Sequence, residues 1–193
     1  MDDGTIKRLS DTLYDALRGR TTVAPLTETH PDLTLESAYA VSERFLKRRL
    51  EDGERVIGKK IGVTSKAVQR MLNVHQPDFG YLTDAMVYTN EDSVPISTTL
   101  IQPRAEGEIA FVLGQDLTGP GVTVADVLRA TDCVMPCFEI VDSRVTDWKI
   151  KIEDTVADNA SCGLIVLGDQ AVSPRSVDLT TCGMVIHKNG DLL

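Results

Sequence analysis

The stretch RAEGEIAFVL, at residues 104–113, decides the fold of this 193-residue chain. Successive side chains of a β-strand point to opposite faces, so Glu106 and Glu108 share one face, and small or apolar side chains occupy the other. Ala110 and Val112 follow the two acids on their own face. Because both faces become apolar, we predict a strand that is buried on both sides.

Two ionised carboxylates in such a strand would repel each other and would lack solvation, and a hard divalent cation removes both problems. A third acid, Glu139, lies in the middle of the apolar run VMPCFEIVD at 134–142. Three carboxylates in strands suit Mg²⁺ or Mn²⁺ better than zinc. The alternative is an exposed edge strand for Glu106 and Glu108, with Glu139 paired to Arg144 or to a lysine.

Three further segments carry polar residues that could serve a site. Alternation over GKKIG sends Lys59 and Lys60 to opposite faces, so one lysine can point toward the carboxylates; the alternative is two solvated lysines on an edge strand. Asp78 lies in the turn sequence QPDFG, where an aspartate usually bonds its own backbone. The small polar run 154–163 either lines a pocket or forms an ordinary loop, and we take its Ser161 as a candidate for binding substrate.

The hydrophobic periodicity predicts an α+β fold. Apolar residues recur at helical spacing over 5–19, and again from Thr34 to the stop signal at residues 52–53. Thr123 is expected to cap a short helix over 123–130. An Asn-Gly turn signal at 189–190 is followed by an aspartate and only two more residues, so the chain is expected to stop in mid-hairpin. The other predicted elements are a helix over 65–72, a turn over 76–80, and strands over 56–63, 103–114, 132–142, 162–168 and 183–188.

The composition excludes several classes of protein. A hydrophobic content of 42% is enough for one globular domain, with or without a small N-terminal extension. The net charge of −9 would repel phosphate backbones, so we expect no nucleic-acid partner. No apolar run approaches the roughly 20 residues that span a bilayer, so we expect no membrane association. Four cysteines without a CxxC pair, and an N-terminus without a secretory signal, predict free thiols and a cytoplasmic location.

Four segments together resemble one enzyme family. These segments are similar to those of the 2-hydroxypenta-2,4-dienoate hydratases, also called 2-keto-4-pentenoate or 2-oxopent-4-enoate hydratases, of the fumarylacetoacetate hydrolase superfamily. The resemblance implies N-terminal helices, forming a cap over 1–54, followed by a mixed β-sheet roll or barrel, the catalytic core, over 55–193. Family members usually continue beyond this endpoint, so the core is interpreted as truncated at its C-terminus. The four segments are GKKIGVTSKAVQRMLNVHQPDFGYLTD at 58–84, QPRAEGEIAFVLGQDL at 102–117, MPCFEIVDSRVTDWKIKIEDTVADNASCGL at 135–164 and VIHKNGDL at 185–192.

The resemblance also implies roles for individual residues. Glu106, Glu108 and Glu139 match the carboxylates with which the family binds a divalent metal, Mg²⁺ or Mn²⁺. Lys60 matches the family's active-site lysine, which would bind the substrate carboxylate or relay a proton. Asp78 falls in the hydratases' QPDFG signature, and we expect it to act as the acid or base near the far end of the substrate.

The implied activity is metal-dependent addition of water to 2-hydroxypenta-2,4-dienoate, giving 4-hydroxy-2-oxopentanoate in the meta-cleavage degradation of aromatic compounds. 4-Oxalocrotonate decarboxylases resemble the hydratases in their carboxylates and lysine, but typically lack an aspartate at Asp78 and the segment DWKI at 147–150. They are the alternative, together with an inactive partner subunit of a hydratase–decarboxylase complex. The expected partners are the small 2-hydroxydienoate substrate, further copies of this chain in a homo-oligomer and, in addition, 4-oxalocrotonate decarboxylase.

Overall fold

The computed structural model describes residues 1–71 and 73–193, with Met71 described by its backbone alone. The described chain forms two compact units. The first contains residues 1–87, 93–104 and 140–164, and the second contains residues 88–92, 105–139 and 165–193. The division at residue 54 into a helical cap and a β-rich core stays a prediction. Within the described ranges, no helix is both long enough and apolar enough to cross a membrane.

Two long helices open the first unit, as the periodicity predicts. Helix α1 covers Asp3–Gly19, and the side chain of Asp2 caps it by accepting from the Thr5 amide. A short helix, α2, follows at Leu26–Thr29. Helix α3 covers Leu35–Glu51, and its N-cap is Thr34, the residue predicted to begin it. Both N-caps satisfy backbone donors that a helix terminus leaves without an intrahelical partner.

Apolar side chains of these helices form the core of the first unit. Leu13, Val41 and Phe45 are almost fully buried, and they pack with Val156 and Ala157. The last two belong to α7, a short helix over Ile152–Ala157 that the sequence analysis did not predict. Each such aliphatic or aromatic side chain contributes on the order of 1.5–3 kcal/mol when it leaves water.

An antiparallel hairpin follows α3. Strand β1 covers Val56–Gly62 and pairs with β2, which covers Asp78–Thr83. Between them lies α4, at Lys66–Met71; the predicted end of this helix, Leu72, lies outside the described residues. The turn predicted over 76–80 is wrong for its last three residues, because these begin β2. Pro and Gly resemble turn residues in sequence, but Pro is tolerated just before a strand, and a strand accepts Gly where another segment approaches its backbone.

A four-stranded sheet has the order β3-β6-β5-β4. The predicted strands over 103–114, 132–142 and 162–168 are confirmed, whereas β3 was not expected. Strand β4 lies at the sheet edge, and Phe111 and Leu113 are 43% and 45% exposed, so the prediction that this strand is buried on both faces is wrong. Residue alternation indicates the two faces of a strand but not its place in the sheet. The strands are β3 at Val87–Thr89, β4 at Arg104–Leu113, β5 at Thr131–Val141 and β6 at Cys162–Leu167.

The connections and the last residues complete the fold. Helix α5 covers Ile96–Thr99, and α6 covers Val124–Ala130 with the predicted Thr123 cap. The strand predicted over 183–188 is wrong for most of its length, because β7 covers only His187–Lys188. Strand β8, at Asp191–Leu192, pairs with it, so the hairpin expected to lack a second strand has a short one.

Candidate active site

Three carboxylates converge on neighbouring strands of the second unit. Glu106 and Glu108 lie on β4, and Glu139 lies on the adjacent β5. Each offers one oxygen atom, and the three oxygens lie within 4.8 Å of one another. Glu106 is exposed, Glu108 is half-buried and Glu139 is only 5% exposed. The i, i+2 spacing on β4 puts the first two acids on one face, as predicted, and strand pairing brings the third beside them.

The chemistry of this donor set fits a hard divalent cation. Carboxylate oxygens are the ligands that Mg²⁺, Ca²⁺ and Mn²⁺ prefer, and three negative charges this close repel one another without a cation. Within the ranges that the structure describes, this is the one group of three or more acidic, histidine or cysteine side chains placed to hold a metal ion.

A buried cysteine, which the sequence analysis did not assign to the site, adjoins the carboxylates. Cys137 precedes Glu139 by two positions on β5, so the two side chains share a face. Burial, together with the charges of Glu108 and Glu139, raises the pKa of the Cys137 thiol to about 11. The cysteine therefore stays a neutral thiol at neutral pH, and it gives this face of the sheet a low-polarity wall.

The two lysines of GKKIG face opposite ways, as predicted. Lys59 is exposed and lies over the aromatic rings of Phe79 and Tyr81, with its Nζ 4.9 and 5.3 Å from their centroids. Lys60 is half-buried and lies opposite Gly80 in the strand register. The alternative of two solvated lysines fits Lys59 but not Lys60, because Lys60 is half-buried.

Lys60 and Asp78 lie on the same face of the hairpin. Gly62 is paired with Asp78, and a Cβ atom added to Gly62 would lie 3.3 Å from Lys60 Nζ and closer than 3.0 Å to Asp78 Oδ1. The ammonium and the carboxylate thus both lie against the backbone of Gly62. Asp78 is 4% exposed, so the hairpin holds a buried acid beside a half-buried base.

Ser161 lies in a tight turn that covers the same face of the hairpin. Residues 159–161 are all in the left-handed region, with φ between 51° and 55°, which costs non-glycine residues about 1–2 kcal/mol each. A Cβ atom at Gly80 would lie closer than 3.0 Å to the Asn159 carbonyl oxygen, so the turn packs directly on the strand. The Ser161 hydroxyl is buried, and among the residues described it has no hydrogen-bond partner.

Sequence reasoning missed the two residues that hold this turn. Asn159 accepts a hydrogen bond from the Tyr81 amide (2.7 Å) and donates one to the Tyr81 carbonyl (3.0 Å). Arg144, considered above as a partner for Glu139, forms a buried ion pair with Asp158. Asn159 and its partner Tyr81 are 78 positions apart in sequence. The only local signal for the turn was that asparagine tolerates a left-handed backbone conformation.

The structure therefore places the predicted site residues in two groups. The metal-ligand candidates belong to the second unit, and Lys60, Asp78 and Ser161 belong to the first. The roles predicted for all six residues stay predictions at this point.

Comparison with known proteins identifies the family. A scan against protein-family models finds no match. A 2-hydroxypent-2,4-dienoate hydratase of Pseudomonas putida is 70% identical over 193 residues, which are the whole chain and 87% of that relative. The chain belongs to the 2-hydroxypenta-2,4-dienoate hydratase family. A 2-hydroxyhexa-2,4-dienoate hydratase of Comamonas testosteroni is 60% identical, with 98% of this chain and 72% of that relative aligned.

Solved structures show the fold of this hydratase family. A 4-oxalocrotonate decarboxylase of Pseudomonas putida G7, complexed with magnesium and adipate, superposes with a TM-score of 0.94 at 32% identity, covering the whole chain and 73% of the decarboxylase. The same decarboxylase complexed with calcium and acetate gives a TM-score of 0.92. The α+β fold of the fumarylacetoacetate hydrolase type is confirmed. Membership of a family of hydratases makes the chain a hydro-lyase by class.

Proposed function

We propose that this chain is a divalent-metal-dependent hydratase that converts 2-hydroxypenta-2,4-dienoate and water into 4-hydroxy-2-oxopentanoate. The observation that carries the proposal is the approach of three carboxylate oxygens to within 4.8 Å of one another, in a chain that is 70% identical to a 2-hydroxypent-2,4-dienoate hydratase. The reaction adds one proton at C5, the hydroxyl of water at C4 and one proton at C3, while the 2-hydroxyl group gives up its proton.

Glu106, Glu108 and Glu139 are proposed to hold the metal, with Mg²⁺ as the first choice and Mn²⁺ as the second. The magnesium and calcium complexes of the neighbouring decarboxylase support a hard divalent ion. A metal held there supplies Lewis-acid polarisation to the 2-oxygen of the substrate. The three carboxylates give the site its negative charge and its hard oxygen donors.

Lys60 and Asp78 are proposed to bind the substrate and move its protons. A half-buried ammonium attracts the substrate carboxylate, and its Nζ can relay a proton. Asp78 would exchange protons at the far end of the substrate, where C5 and C4 react. The common contact of both groups with Gly62 supports a shared task, because it keeps an acid and a base in one fixed arrangement.

Ser161 is proposed to bind a polar group of the substrate. A hydroxyl buried without a partner costs about 1–3 kcal/mol, and a ligand that supplies the missing hydrogen bond recovers that energy. Its 3% exposure and the absence of a partner in the described part of the chain support this assignment.

The second candidate function is 4-oxalocrotonate decarboxylase activity, and the TM-score of 0.94 to that enzyme favours it. Its substrate carries a second carboxylate, which needs a cation at the far end. Asp78 would repel such a group, so we favour the hydratase. An inactive partner subunit is the third possibility, and it would show no turnover of either substrate.

We also propose a homo-oligomer that functions in the cytoplasm and associates with 4-oxalocrotonate decarboxylase. The family resemblance supports the assembly, and all four cysteines are free thiols, as a reducing compartment requires. Light scattering coupled to size-exclusion chromatography, with and without the decarboxylase, tests both associations.

An ultraviolet assay tests the proposed reaction. The purified chain is mixed with 2-hydroxypenta-2,4-dienoate and Mg²⁺, and the loss of dienol absorbance and the formation of 4-hydroxy-2-oxopentanoate are followed. We expect turnover that EDTA abolishes and that added Mg²⁺ restores. A parallel sample with 4-oxalocrotonate measures release of CO₂. Turnover of that substrate alone would replace our proposal with the decarboxylase, and turnover of neither would indicate the inactive subunit.

A further inference from the structure

The turn at residues 158–162 contains a run of left-handed backbone that local preference does not explain. Asn159, Ala160 and Ser161 all have positive φ, and two of them are residue types that disfavour this region. Such a run persists only where the surrounding structure holds it, and held strain of this kind is concentrated at functional sites.

Buried hydrogen bonds hold the turn at both ends. Arg144 donates to the carbonyl of Asp158 (2.6 Å) and to the carbonyl of Cys162 (3.2 Å), so one guanidinium spans the turn. The Ser161 amide donates to the Asp158 carbonyl, and the Ser161 carbonyl accepts from the Asp142 amide. The backbone groups on either side of the Ser161 side chain are therefore fixed.

The Asn159 side chain links this turn to the hairpin. Its amide group forms two hydrogen bonds with the backbone of Tyr81, in the way that a neighbouring strand would. Tyr81 follows Gly80, which lies opposite Lys60, and Asp78 lies three positions earlier on the same strand. Asn159 is 2% exposed, so these hydrogen bonds are shielded from water.

We propose that Asn159 is a positioning residue of the hydratase reaction, a role that rests on the function proposed above. Its side-chain amide fixes the distance between the turn that carries Ser161 and strand β2, which carries Asp78. The Ser161 hydroxyl, Lys60 and Asp78 are thereby held in one arrangement. This role needs no contact between Asn159 and the reacting atoms. The carboxylates that would hold the metal belong to the other unit, so metal binding does not depend on it.

Two substitutions separate the amide from the backbone conformation. Asn159→Asp keeps a residue that tolerates positive φ but loses the donor to the Tyr81 carbonyl, and Asn159→Gly keeps the conformation without any side chain. Asn189→Asp is the matched control, because Asn189 also has a positive φ (54°) and lies in an exposed turn.

The measurements are kcat and KM for 2-hydroxypenta-2,4-dienoate, the Mg²⁺ dissociation constant, the affinity for the unreactive 2-oxopentanoate, and hydrogen exchange of the Tyr81 amide. In both Asn159 variants we expect kcat to fall about 10- to 100-fold. Exchange at the Tyr81 amide should become about tenfold faster in Asn159→Gly, which removes its acceptor, and should change less in Asn159→Asp, which keeps an acceptor oxygen. 2-Oxopentanoate should bind more weakly to both variants. The Mg²⁺ dissociation constant should stay unchanged, and Asn189→Asp should match the wild type throughout.

Two results would overturn the proposal. One is an unchanged kcat in both variants, whether or not exchange at the Tyr81 amide changes. The other is a loss of Mg²⁺ affinity as large as the loss of kcat, which would indicate a general loss of folding. If the wild-type chain shows no hydratase turnover, the proposed function fails, whereas exchange at Tyr81 and the affinity for 2-oxopentanoate still decide whether Asn159 holds this arrangement.

Discussion

Lys59 and Lys60 are neighbours in sequence but meet different surroundings. Lys59 lies over two aromatic rings, while Lys60 lies beside Gly62 and Asp78. We therefore expect Lys60→Ala to lower kcat by about 100-fold or more, the usual contribution of proton transfer. Lys59→Ala should leave kcat nearly unchanged and cost about 0.5–1 kcal/mol of stability. Steady-state kinetics and urea unfolding of both variants check this, and equal losses of kcat would contradict the assignment.

Single residues were predictable where the strand period alone decides their position. A period of two separates Lys59 from Lys60 and brings Glu106 and Glu108 to one face, whatever the rest of the fold is. Asn159 was not predictable, because its role arises from hydrogen bonds to a residue 78 positions away. No pattern within its own segment encodes such a contact.

At the scale of the elements, the packing of the turn on β2 depends on Gly80. A methyl group there would lie closer than 3.0 Å to the Asn159 carbonyl, whereas one at Gly58, on the same face of the hairpin, would lie 3.8 Å from Leu82. We expect Gly80→Ala to destabilise the protein by about 1–3 kcal/mol and to lower kcat. Gly58→Ala is the control and should change neither value appreciably. Thermal unfolding and the hydratase assay measure both, and similar values for the two variants would contradict the close approach.

Two elements that sequence analysis predicted wrongly, β4 and β2, share one physical cause. The exposure of β4 depends on strand order, and the start of β2 depends on the segment that packs on Gly80. Both features depend on tertiary contacts, and local residue propensities do not encode such contacts. The long helices, in contrast, carry their own caps and apolar stripes, and they were predictable within a few residues.

At the scale of the whole molecule, acid stability depends on the buried ion pair between Arg49 of α3 and Glu54, which lies between α3 and β1 and also accepts a hydrogen bond from Thr83 of β2. Burial raises the pKa of Glu54, but hydrogen bonds from Thr83 and Arg49 outweigh it and hold the pKa below the ordinary 4.5. A lowered pKa in the folded state stabilises the protein above pH 4.5, and this contribution is lost as the pH falls through the folded-state pKa.

Replacement of Glu54 tests this dependence. We expect Glu54→Gln to lose about 3 kcal/mol at pH 7, because Arg49 stays buried with its charge uncompensated. The difference from the wild type should shrink as the pH falls from 4.5 through the folded-state pKa of Glu54, where the wild-type carboxylate becomes protonated as well. Urea unfolding between pH 3 and pH 7 measures it, with the exposed Glu51→Gln as the control. A difference that does not change with pH would show that Glu54 acts through packing alone.

The carboxylate cluster couples the proposed function to the stability of the whole molecule. Three acids within 4.8 Å repel one another, so a site suited to a cation destabilises the metal-free protein. A cation bound to the folded state alone reverses this, by about 2.7 kcal/mol at a concentration 100 times its dissociation constant. The wild type should therefore gain stability from Mg²⁺, and a variant with fewer charges at the site should gain much less.

The substitution Glu108→Gln tests this expectation. The melting temperatures of the wild type and the variant should change their order between EDTA and saturating Mg²⁺. In EDTA the variant should melt at or above the wild-type temperature, because one of the repelling charges is gone. With saturating Mg²⁺ the wild type should melt at the higher temperature, because only it keeps all three charged ligands. Glu91→Gln, an exposed acid of the same unit, should follow the wild type in both conditions. An equal rise with Mg²⁺ in the wild type and in Glu108→Gln would place the ion elsewhere, since a ligand carboxylate cannot be neutralised without weakening the binding of a hard cation.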